Sequence, residues 1–330
     1  METNYYVGID ISKETLDFCV MKKAEVIMQT KIENSLPCIR SFIKNLQRQA
    51  DFNFSNTLFC MEHTGIYNNI LLGFLHQHHA KIVLEAPINI IKSQGLQRGK
   101  NDKIDANRIA IYVYKNRDFL KLWEPPRKVI TELKYLVALR GRLLSAYKIL
   151  NSTVNEDKRF IEKTLLKETY KLFDKSLRSI KIEILEVNQK IKDIIKNDER
   201  LNHLFNLVKS VDAVGVVTAT EIILATNEFK SFTCPRKFAC YSGVVPFEHS
   251  SGKSIRGKTR VSNYANKNIK SILHMASLSA VRMPGELKEY FIRKTDEGKN
   301  KMTVLNAVRN KLIHRIFACV NQNRPYEKIY

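Results

Sequence analysis

Four acidic residues have the types and placement for phosphoryl-transfer chemistry: Asp10, Glu62, Asp102 and Asp105. Asp10 stands at the end of a β-rich run, Tyr5-Tyr6-Val7-Gly8-Ile9-Asp10-Ile11, two residues after Gly8, which permits close backbone approach. Glu62 closes a second apolar run, Thr57-Leu58-Phe59-Cys60-Met61-Glu62. A charged residue ending an apolar strand projects from the sheet edge, where ligands collect in α/β folds. Asp102 and Asp105 are three apart in a helical stretch and so share a face. Carboxylates converging on one edge repel one another unless cations or protons neutralise them. Mg²⁺ suits such a set, because it prefers oxygen ligands and keeps positions free for phosphate. Two such ions roughly 3.5–4 Å apart would stabilise the attacking and leaving oxygens of an in-line displacement. Mn²⁺ shares the ligand preference and is a candidate substitute. Singly, each carboxylate is equally an ordinary surface group, and Asp102 and Asp105 could pair with Lys100 and Arg108.

A second constellation runs from Tyr241 to Arg260, with four serines and four basic residues in a glycine-punctuated stretch that reads as a flexible loop. Serine is a weak nucleophile unless a base, a metal or a cationic setting activates it. Lys253, Arg256, Lys258 and Arg260 could grip a scissile phosphate, as nucleic-acid-binding residues. A loop whose serine hydroxyls merely donate hydrogen bonds to phosphate fits the same residues.

The elements that must position these groups are legible in outline. Three strand-like runs within the first 35 residues suggest an antiparallel meander. A helix (Leu36–Gln49), a strand ending at Glu62, a helix (Tyr67–His78), a strand (Lys81–Glu85) and a long helix through Asp105 to Tyr114 follow. That order predicts an α/β, RNase H-like domain over residues 1–123. Trp123-Glu124-Pro125-Pro126-Arg127 breaks the pattern, since two prolines cannot continue a helix. Residues 124–200 read as a helical connector. Leu166, Tyr170, Phe173, Leu177, Ile180, Ile184, Val187, Ile191 and Ile194 form an a/d seam, and Val129, Leu133, Leu136, Leu143, Tyr147 and Leu150 keep the same phase, interrupted by Arg140. Two helices joined near Asn151–Arg159 would make an antiparallel hairpin. The seam suits a dimerising coiled coil or an intrachain pair. Residues 201–330 form a mainly α C-terminal domain, in which Asp212-Ala213-Val214-Gly215 could be a phosphate-binding turn or an ordinary one.

The formal charge of +22 favours polyanionic partners, and residues 228–330 hold most of the excess, with 20 Lys/Arg against 7 Asp/Glu. The six cysteines form no CxxC pair and the eight histidines no zinc-type spacing. No signal peptide opens the chain and no apolar run approaches membrane-spanning length, so a cytoplasmic protein without a membrane partner is expected.

In this order the motifs resemble the DEDD–serine transposases of insertion sequences, bridge-RNA-guided recombinases related to the pilin-gene invertases. Val7-Gly8-Ile9-Asp10-Ile11-Ser12-Lys13 resembles the family's first metal-binding strand, and Met61-Glu62-His63-Thr64-Gly65 its Glu segment. Lys100-Asn101-Asp102-Lys103-Ile104-Asp105-Ala106 resembles its paired-Asp motif, and Ser250-Ser251-Gly252-Lys253-Ser254-Ile255-Arg256-Gly257 its serine motif. The resemblance implies a RuvC-like first half that binds Mg²⁺ through the four carboxylates. It also implies a transposase domain whose Ser251 attacks a DNA phosphate and forms a phosphoserine link. Donor and target DNA, a structured guide RNA and a homo-oligomer in which one protomer's metal site meets another's serine are the implied partners. A RuvC-like, structure-selective nuclease without a covalent serine intermediate is the alternative that the acidic residues alone support.

Overall fold

The computed structural model of the chain describes residues 3–49, 51–93, 102–156, 160–251, 255–261 and 265–327, without the side chains of 102, 103, 153–156, 247–251 and 255–260. It divides into two compact units, Met1–Pro125 and Pro126–Tyr330, with the break inside the proline-containing stretch.

In the first unit, β1 (Tyr5–Ile11), β2 (Thr15–Lys22) and β3 (Glu25–Glu33) form the meander, followed by α1 (Leu36–Leu46) and β4 (Thr57–Glu62). Then come α2 (Asn69–Gln77), β5 (Lys81–Glu85), α3 (Pro87–Lys92) and α4 (Asp102–Asn116). The sheet order is β3-β2-β1-β4-β5. Its first three strands pair antiparallel, while β4 and β5 add in parallel, each through a helical crossover. Alternation along each strand divides the side chains between two cores. Val7, Ile9, Phe18, Val20, Phe59 and Met61 face α1 and α2. Tyr6, Cys19, Met21, Leu58, Cys60 and Val83 lie under α3 and α4, against Ile90, Ala106, Ile109, Ala110 and Val113. The helix α4 crosses β1 at Gly8, where an added Cβ would stand 2.2 Å from both the Ala106 carbonyl oxygen and the Ala110 nitrogen. No residue with a side chain fits that crossing unless the helix moves.

The second unit opens with α5 (Lys128–Glu156) and α6 (Lys163–Asn197), continues through α7 (Glu199–Lys209), α8 (Val216–Ala225) and α9 (Pro235–Tyr241), and then forms the hairpin β6 (Pro246–Ser251) and β7 (Ile255–Val261). It ends with α10 (Lys267–Ala280), α11 (Glu286–Asp296) and α12 (Lys301–Gln322). The segment expected to be a flexible loop is therefore an antiparallel hairpin, its strands paired from Pro246↔Val261 to Ser251↔Ile255. Of the glycines that suggested a loop, Gly243 precedes β6, whereas Gly257 is paired inside β7 opposite His249.

The helices α5 and α6 pair within the chain. Ile130 and Leu133 pack in one core with Val187, Ile191 and Ile195. Arg140, which interrupts the apolar seam, donates from Nε to Asn188 Oδ1 at 2.7 Å, and Lys181 lies over the Tyr147 ring at 5.4 Å. The a/d seam thus has an intramolecular partner over this length, and the same core continues through α7–α10 and α12. In the turn between α7 and α8 the left-handed residue is Ala213, φ 66°, while Gly215 is extended and caps α8. Arg127 anchors the start of the unit. Its guanidinium donates to Asp198 Oδ1 and Oδ2, both at 2.8 Å, and to Glu228 Oε1 and Oε2 at 2.6 and 2.9 Å. Glu228 is buried and sits in a left-handed run, Asn227, Glu228 and Phe229, with φ of 46°, 56° and 62°. Among the described residues no helix is long and apolar enough to cross a membrane.

Candidate functional site

Strand register aligns a single row of charges across the sheet of the first unit. Lys31 on β3 opposes Asp17 on β2, and Asp17 opposes Asp10 on β1. Ile9 is level with Met61, which brings Asp10 beside Glu62 on β4, and Glu62 is level with Glu85 on β5. All four acids belong to the α4 side of the sheet, because each is two residues from a member of that face: Gly8, Cys19, Cys60 and Val83. Asp102 opens α4 one turn before Ala106, and Asp105 immediately precedes it. The contact of Ala106 with Gly8 therefore sets the first turn of α4 beside the C-terminal end of β1. The side chain of Asp102 lies outside the described residues.

Donors hold the acids at both flanks of the row. At one flank, the buried Asp17 pairs with Lys31 at 3.2 Å. At the other, Glu85 Oε1 accepts from the Ala86 amide at 2.9 Å and Asn89 Nδ2 at 2.7 Å, while Oε2 accepts from the Tyr112 hydroxyl at 3.0 Å. Between these flanks lie Asp10 and Glu62, both half-buried. Asp105 Oδ1 accepts from Arg108 Nη1 at 2.6 Å. Asn68 Nδ2 donates to the Glu62 carbonyl at 2.8 Å and fixes the strand end. Burial and then the negative charges of Glu85 and Glu62 push the Cys60 thiol up, so it stays protonated beneath the acids. Burial and Glu85 push the Tyr112 phenol up in the same way.

Among the described residues no three His, Cys, Asp or Glu side chains converge closely enough to hold an ion. The donor set at the edge is nevertheless all carboxylate oxygen, half-buried and gathered on one face, which suits a hard divalent cation such as Mg²⁺. Sequence reasoning singled out Glu62 as a strand-closing acid and passed over Glu85, which closes β5 with the same signal. Asp17 gave less warning, because it sits inside its strand.

In the second unit Ser251 is the last residue of β6, in register with Ile255, and Ser250 is in register with Arg256. Arg256, Lys258 and Arg260 occupy alternate positions of β7, whereas Lys253 lies outside the described residues. Below the hairpin, Asn306 Nδ2 donates to the Val244 carbonyl at 2.5 Å. The buried Arg309 donates from Nη1 to Asn306 at 3.3 Å and from Nη2 to His274 Nδ1 at 2.6 Å. Burial and the Arg309 charge lower the His274 pKa, so the ring accepts this bond in its neutral form.

Comparison with known proteins identifies the family of the chain. Residues 7–158 match the DEDD transposase family of IS110, and residues 205–291 match the family described as "Transposase IS116/IS110/IS902 family". The chain belongs to the IS110 transposase family. Two relatives of this IS110-family chain are the pilin gene-inverting proteins of Moraxella bovis and Moraxella lacunata, each 28% identical over 330 residues, 98% of this chain and 98% of the relative. The insertion element IS116 uncharacterized 44.8 kDa protein of Streptomyces clavuligerus is 18% identical over 97% of this chain and 96% of its own length. Among solved structures, Thermus thermophilus RuvC covers 36% of the chain and 99% of its own, at 13% identity and a TM-score of 0.28.

Proposed function

We propose that this transposase is a site-specific DNA recombinase that cuts and joins DNA with two constellations, a two-metal acidic site in an RNase H-like first unit and a serine nucleophile in the second. The observation that carries the proposal is the charge row, in which strand register sets Asp10 and Glu62 side by side on the α4 face of the sheet. Together with Asp102 and Asp105 on α4 they would hold two Mg²⁺ ions, or Mn²⁺ in their place, and such ions stabilise charge on the oxygens of an in-line phosphoryl displacement. The residues themselves set the geometry. Gly8 lets α4 approach β1, Asn68 holds the end of β4, and the protonated Cys60 keeps additional charge from under the acids. Ser251 would attack a DNA phosphorus, forming a phosphoserine bond as a phosphorus–oxygen bond to deoxyribose breaks. The serine proton passes to solvent or a carboxylate, and the departing sugar oxygen takes one up. Arg256, Lys258 and Arg260, with Lys253, would hold the phosphate by charge-assisted hydrogen bonds.

Homo-oligomerisation belongs to the same proposal, with one protomer's serine serving another's acids. Support comes from exposed apolar side chains on the helical pair. Tyr135, Leu139, Ile149, Leu172, Ile182 and Leu185 are all exposed. A structured guide RNA would choose the sites, consistent with the large positive charge of the second unit. The test incubates protein, guide RNA, donor and target DNA with Mg²⁺. The parent yields recombinants and a covalent protein–DNA adduct, Asp10→Asn yields neither, and Ser251→Ala forms no adduct. Cleavage that survives Ser251→Ala but is lost in Asp10→Asn would instead establish a metal-only nuclease.

A further inference from the structure

The acid that sequence reasoning passed over, Glu85, is tied to the helix that carries two of the four acids. Its Oε2 accepts from the Tyr112 hydroxyl at 3.0 Å, and Tyr112 is seven residues, close to two full turns, beyond Asp105 on α4. Asp105 and Tyr112 therefore lie on the same side of the helix, the side toward β4 and β5. The other Glu85 oxygen is fixed by the Ala86 amide and Asn89, so the carboxylate is an anchored acceptor rather than a swinging one. Elsewhere the described part of α4 meets the sheet mainly through small or apolar groups, Ala106 and Ala110 against Gly8 and Ile109 and Val113 in the core, with one weaker polar contact in which the Cys19 thiol donates to Asn107 Oδ1 at 3.5 Å. Such contacts press the helix down but resist rotation about its axis only weakly. A directional bond at 3.0 Å does resist it.

We propose that Glu85 and Tyr112 are positioning residues, a lock that fixes the rotation of α4 and so aims Asp105 and Asp102 at Glu62 and Asp10. The lock acts on the acids without being one of the ligands. Burial keeps the phenol protonated and therefore a donor. This inference rests on the metal reading above, and it extends that reading to groups outside the four acids.

The experiment measures Mn²⁺ binding to the full chain by electron paramagnetic resonance of the free ion, alongside thermal unfolding without metal. Partners that orient metal ligands typically change affinity by roughly 10-fold or more. Tyr112→Phe keeps the ring and removes only the hydroxyl, so its Mn²⁺ midpoint should rise by about that factor while its metal-free Tm stays near the parent's. Glu85→Ala should match it. Glu85→Gln retains an oxygen that can accept from Tyr112 and should bind Mn²⁺ much more nearly like the parent. Asp10→Asn separates the two ideas. If it abolishes saturable binding while Tyr112→Phe and Glu85→Ala stay within about twofold of the parent, the lock is wrong and the metal site stands. If Asp10→Asn binds Mn²⁺ as the parent does, the metal reading falls and the lock with it. A metal-free Tm lowered in step with the affinity would overturn the lock in favour of general loosening.

Discussion

Gly8→Ala offers a sharp test of how the acidic edge is built. The added methyl carbon would sit 2.2 Å from the Ala106 oxygen and the Ala110 nitrogen, and 2.8 Å from the Ala110 Cα. These are backbone atoms of a helix, so no rotamer change relieves the clash, and restoring ordinary contact requires α4 to move by about 1 Å. Overpacking of this kind costs about 1–3 kcal/mol. The upper end applies here, because Ile109 and Val113 are almost fully buried and move with the helix. For a unit of this size that corresponds to a Tm loss of roughly 10 °C. The effect at the site should be larger than the effect on the fold, since a 1 Å misplacement of reacting groups can cost on the order of 100-fold in rate. Differential scanning calorimetry and a Mg²⁺-dependent strand-cleavage assay on the same preparation give both numbers. A Gly8→Ala protein with parental Tm and parental cleavage would show that α4 does not bear on β1 as described.

Gly73 and Gly141 give the opposite sign, because each lies in a helix with nothing within 4 Å of an added Cβ, so Gly73→Ala and Gly141→Ala should each stabilise by about 0.4–1 kcal/mol in urea unfolding. Among the described residues, Arg127→Ala leaves the fully buried Glu228 carboxylate with Arg200 as its one remaining ion-pair partner, and calorimetry should record a loss of about 3–5 kcal/mol, while a loss below about 1 kcal/mol would contradict the anchor. Hydrogen bonds from Arg127 hold the Asp198 pKa below its ordinary value. The stability Asp198 contributes is therefore complete above about pH 4 and disappears as pH falls through the lowered folded value, so acid titration of Arg127→Ala should show a shallower decline than the parent below about pH 4. If a serine from one protomer serves the acids of another, mixing Asp10→Asn with Ser251→Ala should restore recombination that neither shows alone, and a mixture as inactive as its components would exclude such sharing.

Much of this architecture is legible in the residues because it rests on local periodicity. The β-rich run from Tyr5 to Ile11 and the a/d spacing from Leu166 to Ile194 report strand and seam directly, since both are patterns of residue type within one short segment. The partner of the seam is not local, and only the packing of Ile130 and Leu133 against Val187 and Ile191 reveals it. Glu85 carried the same strand-closing signal as Glu62. Its bond to Tyr112 depends on how α4 crosses the sheet, which no short segment encodes. The serine hairpin escaped notice because glycines around it suggested a loop, and strand pairing between Phe247 and Arg260 is settled by the two segments together. The left-handed run at 227–229 has no glycine to announce it. Its visible supports are the Thr226 hydroxyl and the arginines that hold Glu228 from other elements.

The Arg140–Asn188 bond gives the helical pair a fixed register mark, like a pin through two sliding rails. Slipping one helix by a heptad would displace it by about 10 Å and strand both polar groups against apolar neighbours. The arm beyond the pin therefore has a set length, and its length and bearing become separable quantities. Seven residues inserted into each helix on the far side of the pin would lengthen the reach by roughly 10 Å and turn the end of the pair by only about 20°. Four residues would lengthen it less and swing that end by about 40°. An assembly that depends on where the end of the pair points should tolerate the first change far better than the second.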